Sequence, residues 1–412
     1  MAKARDLGTK PRQGRTPRIL VVFCWFPVTT AIFLYRMIDG WKRAGLQVHA
    51  CSTLRAQAVS PPAWASSVSY LPRVSRERPW ECLRFAAIAL RLLLTRPWRL
   101  LRALRMLRRS TRGWREFLSE TVLAIPLLRW DVDLVYFSFG PIAAKYASSM
   151  LLRPSVMSLR GMDLSVTVPA NPEYATRLRT ALRAARAVHC VSESLRREAV
   201  EFAGENLSAM HVIRTGIPVV ASNGLGSSRR DGTLRIVSVA RLHWSKGFEY
   251  GIAAVRQLVA RGVPCTWRIV GDGPHREAVS LAIRDAALES VVSLEGSRDE
   301  ASVFRELAAS DVFLLCSLSE GISNAVLEAL AAGIPAVATN VGGMAEAVPP
   351  GYPLLVPPRD PQAISDALER MAKHPDERAE LGRQAREFVR ANFSVEEQVS
   401  GFLRMFEAAL DR

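Results

Sequence analysis

The sequence predicts an α/β protein built from two Rossmann-like domains. Short apolar runs rich in β-branched residues alternate with longer helical stretches, as in parallel sheets covered by helices. The alternation occurs twice, over 18–220 and over 233–375, and a polar stretch rich in glycine and serine, 221–232, separates the halves as a linker. The chain has 412 residues, 49% of them hydrophobic, which is ample for two buried sheets.

The expected elements follow in chain order. Residues 1–17 are basic and are expected to form a disordered tail. Strands are expected in the first half at 18–24, 47–51, 133–138, 155–159, 187–191 and 210–213. In the second half they are expected at 234–240, 266–270, 291–294, 311–316, 335–339 and 353–356. Helical stretches lie between them, and a last one covers about 376–411.

The segment EGISNAVLEALAAGIPAVATNVGG, residues 320–343, carries the strongest chemical signal. Ser323 or Asn324 can cap a helix there, and the free N–H groups at a helix start form an anion site. A buried strand follows, and Gly342-Gly343 lets backbone approach closely at its carboxyl end. A phosphate fits this pattern.

Two glutamates flank the predicted helix start. Glu320 precedes it and Glu328 lies about five residues into the helix, roughly 7–8 Å further along the axis, so the two acids reach different parts of one extended ligand. Alternatively, both are ordinary N-terminal acids that the helix dipole favours by about 0.3–1 kcal/mol each.

Two cations upstream favour the ligand interpretation. SVARLHWSKG, 238–247, places Arg241 and Lys246 in the loop after a β-branched run, again at a strand's carboxyl end. Arginine is abundant in this chain, but only six of the 55 basic residues are lysine, so Lys246 is the better signal.

A third strand ends in a glycine turn. TWRIVGDGP, 266–274, closes on Gly271, Asp272 and Gly273, whose glycines permit close backbone approach or serve as plain loop residues. Three such junctions are therefore expected to converge on one ligand.

In this order the motifs resemble the donor site of family-four (group 1) glycosyltransferases, which are retaining enzymes of the GT-B class. That family's pattern is G-R-L…K-G, then V-G-D-G-P, then two glutamates separated by seven residues, then A-x-G-x-P-V-V-A-t…G-G. The chain matches each part, with Ala240 in place of the usual glycine before Arg241. The match is sharp over roughly 234–345 and looser elsewhere.

The resemblance implies roles for individual residues. Arg241 and Lys246 would hold the diphosphate, Glu320 the donor sugar and Glu328 the ribose hydroxyls. Arg241, Lys246 and Glu320 would be the catalytic group. The glycine turn at 271–273 would also be part of the donor site, and the phosphate and sugar pocket would be lined by Gly321, Ser323, Asn324, Gly342 and Gly343.

The resemblance also implies two Rossmann-like domains facing across a cleft, with the helical segment 376–412 crossing back onto the first. The donor would be a nucleotide-diphosphate sugar, transferred with retention, and its β-phosphate would help accept the acceptor's proton. No metal and no cofactor beyond the donor substrate is expected.

The first domain is expected to bind the acceptor. WFPVTTAIF, 25–33, resembles the F-P-x-x-S-E-T-F stretch of capsule and exopolysaccharide transferases, which makes Thr29 and Thr30 acceptor-side candidates. Ala31 stands where that pattern has glutamate, so any role of the glutamate is absent here.

A second acceptor-side signal is SLRGMDLS, 158–165, which resembles the family's R-G-x-D signature and points to Arg160 and Asp163. Arg160 is expected either to contact phosphate or sugar or to form a salt bridge with Asp163 or another neighbour. His189, inside the strand-like run AVHC, is expected to be packed and not catalytic.

The net charge of +16 is concentrated outside the donor motifs. Residues 1–18 carry +5 and 73–115 carry +11, thirteen arginines against two glutamates. At 100° per residue, Leu100, Leu104 and Leu107 share one face of a basic helix.

We expect the basic segment 84–115 to hold the protein on an anionic membrane surface. The alternatives are a helix that packs these leucines on its own domain and, less favoured, a nucleic-acid interface, for which aromatic platforms are missing. No nucleic-acid partner is predicted.

Six cysteines lie far apart without a Cys-x-x-Cys pair, which favours reduced thiols. No run approaches the roughly 18 apolar residues of a membrane span, and RILVVFCWF lacks a cleavage site and is expected to be a first strand. The expected location is cytoplasmic, peripheral on the inner face of the membrane.

The sequence therefore predicts a glycosyltransferase that moves a sugar to a saccharide acceptor, expected to be lipid-linked, in polysaccharide or glycolipid biosynthesis. Two alternatives remain open. One is a sugar-nucleotide epimerase or phosphorylase of the same fold, and the other is a basic membrane- or nucleic-acid-binding protein with a degenerate donor site.

Overall fold

The computed structural model describes residues 16–28, 31–56, 61–75, 77–204, 209–218 and 232–411. Most of the predicted tail and of the predicted linker lies outside the described residues, as do Thr29 and Thr30. The chain forms two compact units: the first runs to Ile213 and includes the segment from Val399 onward, and the second is Arg214–Gln398.

The first unit contains a parallel sheet of seven strands in the order β3-β2-β1-β4-β5-β6-β7. The strands are β1 Arg18–Phe26, β2 Gln47–Arg55, β3 Ser69–Tyr70, β4 Leu134–Phe137, β5 Ser155–Leu159, β6 Ala187–Cys190 and β7 Ala209–Val212. The helices are α1 Ile32–Arg43, α2 Pro79–Thr95, α3 Pro97–Ser110, α4 Trp114–Leu128, α5 Gly140–Lys145, α6 Met162–Ser165, α7 Thr167–Ala170, α8 Pro172–Ala184 and α9 Glu193–Ala203.

The second unit contains a parallel sheet of six strands in the order β10-β9-β8-β11-β12-β13. The strands are β8 Leu234–Val239, β9 Cys265–Val270, β10 Val292–Gly296, β11 Val312–Leu315, β12 Ala336–Thr339 and β13 Leu355–Val356. The helices are α10 Phe248–Ala260, α11 Arg276–Asp285, α12 Glu300–Ala308, α13 Asn324–Ala331, α14 Pro361–Lys373, α15 Pro375–Asn392 and α16 Val395–Asp411, the last of which enters the first unit at Val399.

Strand β1 shows how the sequence builds a covered sheet. Leu20 and Val22 point into one buried cluster, while Ile19 and Val21 point into another on the opposite face. A strand buried on both faces must be apolar throughout, which is why the run is continuous instead of alternating. The prediction of two Rossmann-like α/β domains is confirmed.

The final helix supplies part of the first unit's core. Phe402 and Phe406 of α16 lie with their ring centroids 5.0 Å from Trp41 of α1, and all three side chains are buried. Edge-on aromatic packing of this kind adds to the hydrophobic gain from burial.

Helices α2, α3 and α4 share a separate apolar cluster, and one expectation fails here. Leu100 and Leu107 of α3 are buried in that cluster beside Leu92 and Leu128, and Leu104 packs against it. The expected lipid-facing role of these leucines is therefore wrong, because burial against α2 and α4 already removes them from water. The alternative, packing on their own domain, holds for this face.

Within the described ranges, no helix is both long and apolar enough to cross a bilayer. All six cysteines are free thiols, four of them buried.

Candidate active site

The order of the second sheet creates a switch point between β8 and β11. These strands are neighbours, yet the chain continues from β8 toward β9 on one side and from β11 toward β12 on the other. Ligands of open parallel sheets bind outside the carboxyl ends of strands at such a point. The loops after β8 and β11 carry the predicted cations and the predicted glutamate.

Lys246 and Glu320 meet at this edge. The Lys246 ammonium lies 2.5 Å from Oε1 of Glu320, and the Ser317 hydroxyl donates to the same oxygen at 2.7 Å. Their side chains keep 19% and 10% of their exposure, so the pair is screened by water only in part and still opens to solvent. The sequence predicted that both residues contact the same ligand, but it did not predict that they contact each other.

Gly247 brings the two loops together. It has φ +60°, and a Cβ there would lie 2.2 Å from the carbonyl oxygen of Cys316. The Leu318 amide donates to the Ser245 carbonyl at 2.8 Å in the same contact. Only glycine fits this conformation and this spacing, so it fixes the position of Lys246.

The predicted Gly342-Gly343 turn packs on the loop of Glu320. A Cβ on Gly342, at φ +55°, would lie 1.8 Å from the Glu320 carbonyl oxygen, and the Gly343 amide donates to the Gly321 carbonyl at 2.9 Å. The close approach that Gly342 permits is therefore to the protein's own backbone, which holds Glu320 in place.

Helix α13 begins at Asn324 beside this pair. Ser323 is buried, and its hydroxyl accepts from the Val326 amide at 3.4 Å, so it is the predicted cap. The first turn holds no acidic residue, which removes the alternative that Glu320 and Glu328 are ordinary first-turn acids. Glu328 lies further along α13 and is half-buried.

The turn after β9 is positioned by the same kind of contact. A Cβ on Gly271 would lie 1.9 Å from the Ala240 carbonyl oxygen, and one on Gly273 would lie 2.3 Å from that of Leu242. The Asp272 carbonyl accepts from the Leu242 amide at 3.0 Å. The turn therefore pins the backbone on both sides of Arg241, whose side chain is exposed.

Sequence reasoning missed a histidine pair next to these cations. His243 and His275 have ring centroids 5.3 Å apart, and Nδ1 of His243 lies 2.9 Å from the Ser245 hydroxyl. Burial, and then the charge of Arg241, lowers the pKa of His243, so its imidazole is neutral at neutral pH. The sequence signal that could have identified His243 is its place inside the motif at 238–247.

The first unit has its own switch point, between β1 and β4. Arg160 follows β5, its guanidinium donating to the Tyr136 hydroxyl at 3.3 Å and lying 4.8 Å from the centroid of the Phe33 ring. Asp163 is buried, and its carboxylate accepts from the amides of Gly140 and Arg160. Instead of a salt bridge, Asp163 thus makes backbone contacts that shape the turn carrying Arg160.

A buried hydrogen-bond chain leads away from Arg160. The Tyr136 hydroxyl contacts the Ser158 hydroxyl, which lies 2.7 Å from Nδ1 of His189, whose Nε2 lies 2.8 Å from the Ile213 carbonyl oxygen. Burial lowers the pKa of His189 far below its usual range, so the neutral ring donates from Nε2 and accepts at Nδ1. His189 is a packed residue, as predicted.

Among the described residues, no group of three histidine, cysteine, aspartate or glutamate side chains is placed to hold a metal ion. What the second unit does bring together is a partly exposed lysine, a carboxylate and a helix N-terminus at one sheet edge. Such a set binds an anion and a polar group beside it.

Comparison with known proteins gives the fold and a family match for part of the chain. A structure of HepE from Anabaena in complex with UDP-glucose superposes with a TM-score of 0.67 at 18% identity, covering 95% of this chain and all of that one. The fold is therefore GT-B, as predicted. Residues 233–374 match the family model described as glycosyl transferases group 1.

Two sequence relatives match over shorter stretches. A protein named as a colanic acid biosynthesis glycosyltransferase, WcaL of Escherichia coli K12, is 38% identical over 171 residues, which is 39% of this chain and 42% of that protein. The amylovoran biosynthesis glycosyltransferase AmsK of Erwinia amylovora is 36% identical over 147 residues, 34% of this chain and 36% of AmsK. The alignments thus span less than half of either relative.

Proposed function

We propose that this protein is a glycosyltransferase that moves a sugar from a nucleotide-diphosphate donor to a saccharide acceptor in exopolysaccharide biosynthesis. The observation that carries the proposal is the contact between Lys246 and Glu320 at the switch point of the second sheet, beside the start of α13. The names of WcaL and AmsK, and the UDP-glucose complex of HepE, support the same class of reaction.

The chemical problem is a departing diphosphate and a sugar that gains positive charge. In the proposal, Lys246 and Arg241 stabilise the charge that develops on the diphosphate, and the amides at the start of α13 add to this. Glu320 holds the donor sugar and Glu328 the ribose hydroxyls. The proposal includes retention of the anomeric configuration, with the donor's β-phosphate helping to accept the acceptor's proton and no metal taking part.

The acceptor is proposed to bind the first unit near Arg160 and to be lipid-linked. The guanidinium lies at the carboxyl edge of the sheet, and its contacts with Tyr136 and Phe33 leave a planar cation suited to phosphate or sugar oxygens. A lipid-linked acceptor would be met at a membrane surface.

A thermal-shift panel of uridine, guanosine and adenosine diphosphates, with and without an attached sugar, tests the donor site. A ligand present at about 100 times its Kd should stabilise the native state by about 2.7 kcal/mol. The proposal expects one base to raise the unfolding temperature in wild type and much less in Lys246→Ala. No shift with any member of the panel would contradict it.

Product analysis separates transfer from the alternatives. The donor that binds is incubated with and without a saccharide acceptor, and its products are identified. Transfer requires the acceptor for release of the nucleoside diphosphate, whereas epimerisation proceeds without it and phosphorolysis requires inorganic phosphate.

A further inference from the structure

Helix α2 has two apolar faces, and only one of them is covered. Its inner face packs in the cluster it shares with α3 and α4, through Phe85, Ile88, Ala89 and Leu92. On the opposite side, within an arc of about 80° at 100° per residue, lie Trp80, Leu83, Ala87, Leu90 and Leu94.

The outer stripe of these five residues is open to water. Leu83 and Leu94 are 72% and 74% exposed, and Trp80 and Leu90 are 55% and 56% exposed. Trp98, at the start of α3, is 80% exposed. Single exposed leucines are common on proteins, but an aligned row along a whole helix marks an interaction surface.

The surroundings of the outer stripe are strongly basic. Residues 79–115 contain ten arginines and one glutamate. Arg84, which pairs with Glu81 at 2.9 Å, and Arg91 lie about 20–40° from the edge of the stripe that Trp80 marks, at 100° per residue. A partner for this surface must therefore be apolar at its centre and negative around it.

We infer that the outer stripe of α2 lies in the interfacial layer of an anionic lipid bilayer, with the helix parallel to the membrane plane. Leucines would enter the acyl boundary, arginines would meet lipid phosphates, and tryptophans favour this depth. A second copy fits less well, because it would bring together the arginines that lie beside each stripe. The inference extends the proposed function, since a lipid-linked acceptor would be met there, but it depends only on exposure and charge.

Vesicle sedimentation tests the apolar part. Wild type should co-sediment with vesicles of phosphatidylcholine and phosphatidylglycerol and much less with phosphatidylcholine alone. Replacing Leu83, Leu90 and Leu94 with Gln, a good helix former, should weaken binding by on the order of tenfold per leucine. The control is Leu281→Gln, at a leucine of the second unit that is 53% exposed, close to Leu90, and it should leave binding unchanged.

A matched pair at Ala87 distinguishes a bilayer from a protein partner. Ala87→Glu and Ala87→Arg put opposite charges at the centre of the outer stripe, and both residues are compatible with an exposed helix position. Against anionic lipid, Glu should weaken binding far more than Arg, whose side chain can reach the phosphates. A stripe that pairs with another copy would be disrupted by Arg as well.

Three results would overturn the inference: wild type that ignores anionic vesicles, a triple leucine variant that sediments like wild type, or equal losses in the two Ala87 variants with a change of oligomeric state on size exclusion. Circular dichroism confirms folding of each variant. Nucleotide thermal shifts of wild type are measured in parallel. Wild type that binds nucleotide but not anionic vesicles would count against the surface alone, and wild type that binds vesicles but no nucleotide would count against the donor site alone.

Discussion

Replacing Lys246 with Ala removes the cation that the proposal assigns to the leaving diphosphate. Its ammonium lies 2.5 Å from Glu320 and keeps 19% of its side-chain exposure, so it acts in a partly desolvated site where charge is weakly screened. Removing a preorganised group that stabilises developing charge costs about 10²–10³ in turnover. We expect a loss of that size in Lys246→Ala.

The same change also affects stability, and the two effects must be separated. In the variant, Glu320 would keep its hydrogen bond from the Ser317 hydroxyl but lose the cation beside it. This loss should lower the free energy of unfolding by only about 1–3 kcal/mol, because the carboxylate retains contact with water. In a domain of this size, that lowers the unfolding temperature by about 2–4 °C per kcal/mol. The variant should remain folded at the assay temperature.

Lys373→Ala is the matched control. Lys373 also contacts a glutamate at 2.5 Å, but as an exposed pair along α14 with 61% of the lysine side chain open to water. Because this pair is exposed, removing Lys373 should change the free energy of unfolding little and leave turnover unchanged. Turnover is measured as nucleoside diphosphate released in the presence of acceptor, beside a thermal melt of each variant. Near-normal turnover of Lys246→Ala would refute the assignment.

Further predictions concern the glutamates, one glycine and the buried chain. Glu328→Gln should weaken nucleoside diphosphate binding by about 1–3 kcal/mol in calorimetry, whereas Glu320→Gln should impair turnover while the nucleotide still binds; equal binding losses would contradict this division. Gly342→Ala should lower the unfolding temperature by much more than Gly351→Ala does, because Gly351 has a similar positive φ but no atom lies within 4 Å of a Cβ added there. Tyr136→Phe should raise the KM for acceptor without changing donor affinity; a purely structural role would move neither.

The sheets could be predicted because their signal is local. A parallel strand buried on both faces reads as a short apolar run, and all predicted runs of the second half overlap observed strands. The turn glycines Gly271 and Gly342 were also visible in the sequence, since each has a positive φ, which restricts the residue type at that position. The sequence did not reveal why glycine is needed at position 342, because the backbone that Gly342 approaches is that of Glu320, on another loop.

Long-range pairing explains what the sequence did not reveal. Lys246 and Glu320 are 74 residues apart, so their contact follows from the strand order and not from spacing. Periodicity identified the leucine face of α3, but it did not show that α2 and α4 pack against that face. It also could not single out the outer face of α2, because that helix is apolar on both sides and only the packing shows which side is covered.

Salt should separate the proposed donor site of the second unit from the proposed membrane surface on α2. Raising ionic strength from about 0.1 M to 1 M shortens the Debye length from about 10 Å to 3 Å. Lys246 works at contact distance and is mostly shielded from solvent, so turnover on a short soluble acceptor should fall only a few-fold. The arginines beside the outer stripe of α2 act across solvent, so vesicle binding should weaken much more, leaving the part that the leucines supply. Turnover and vesicle binding are measured across the same salt series. If both decline in parallel, soluble turnover depends on the same exposed charges as vesicle binding. The division between a donor site in the second unit and a membrane surface on α2 would then fail.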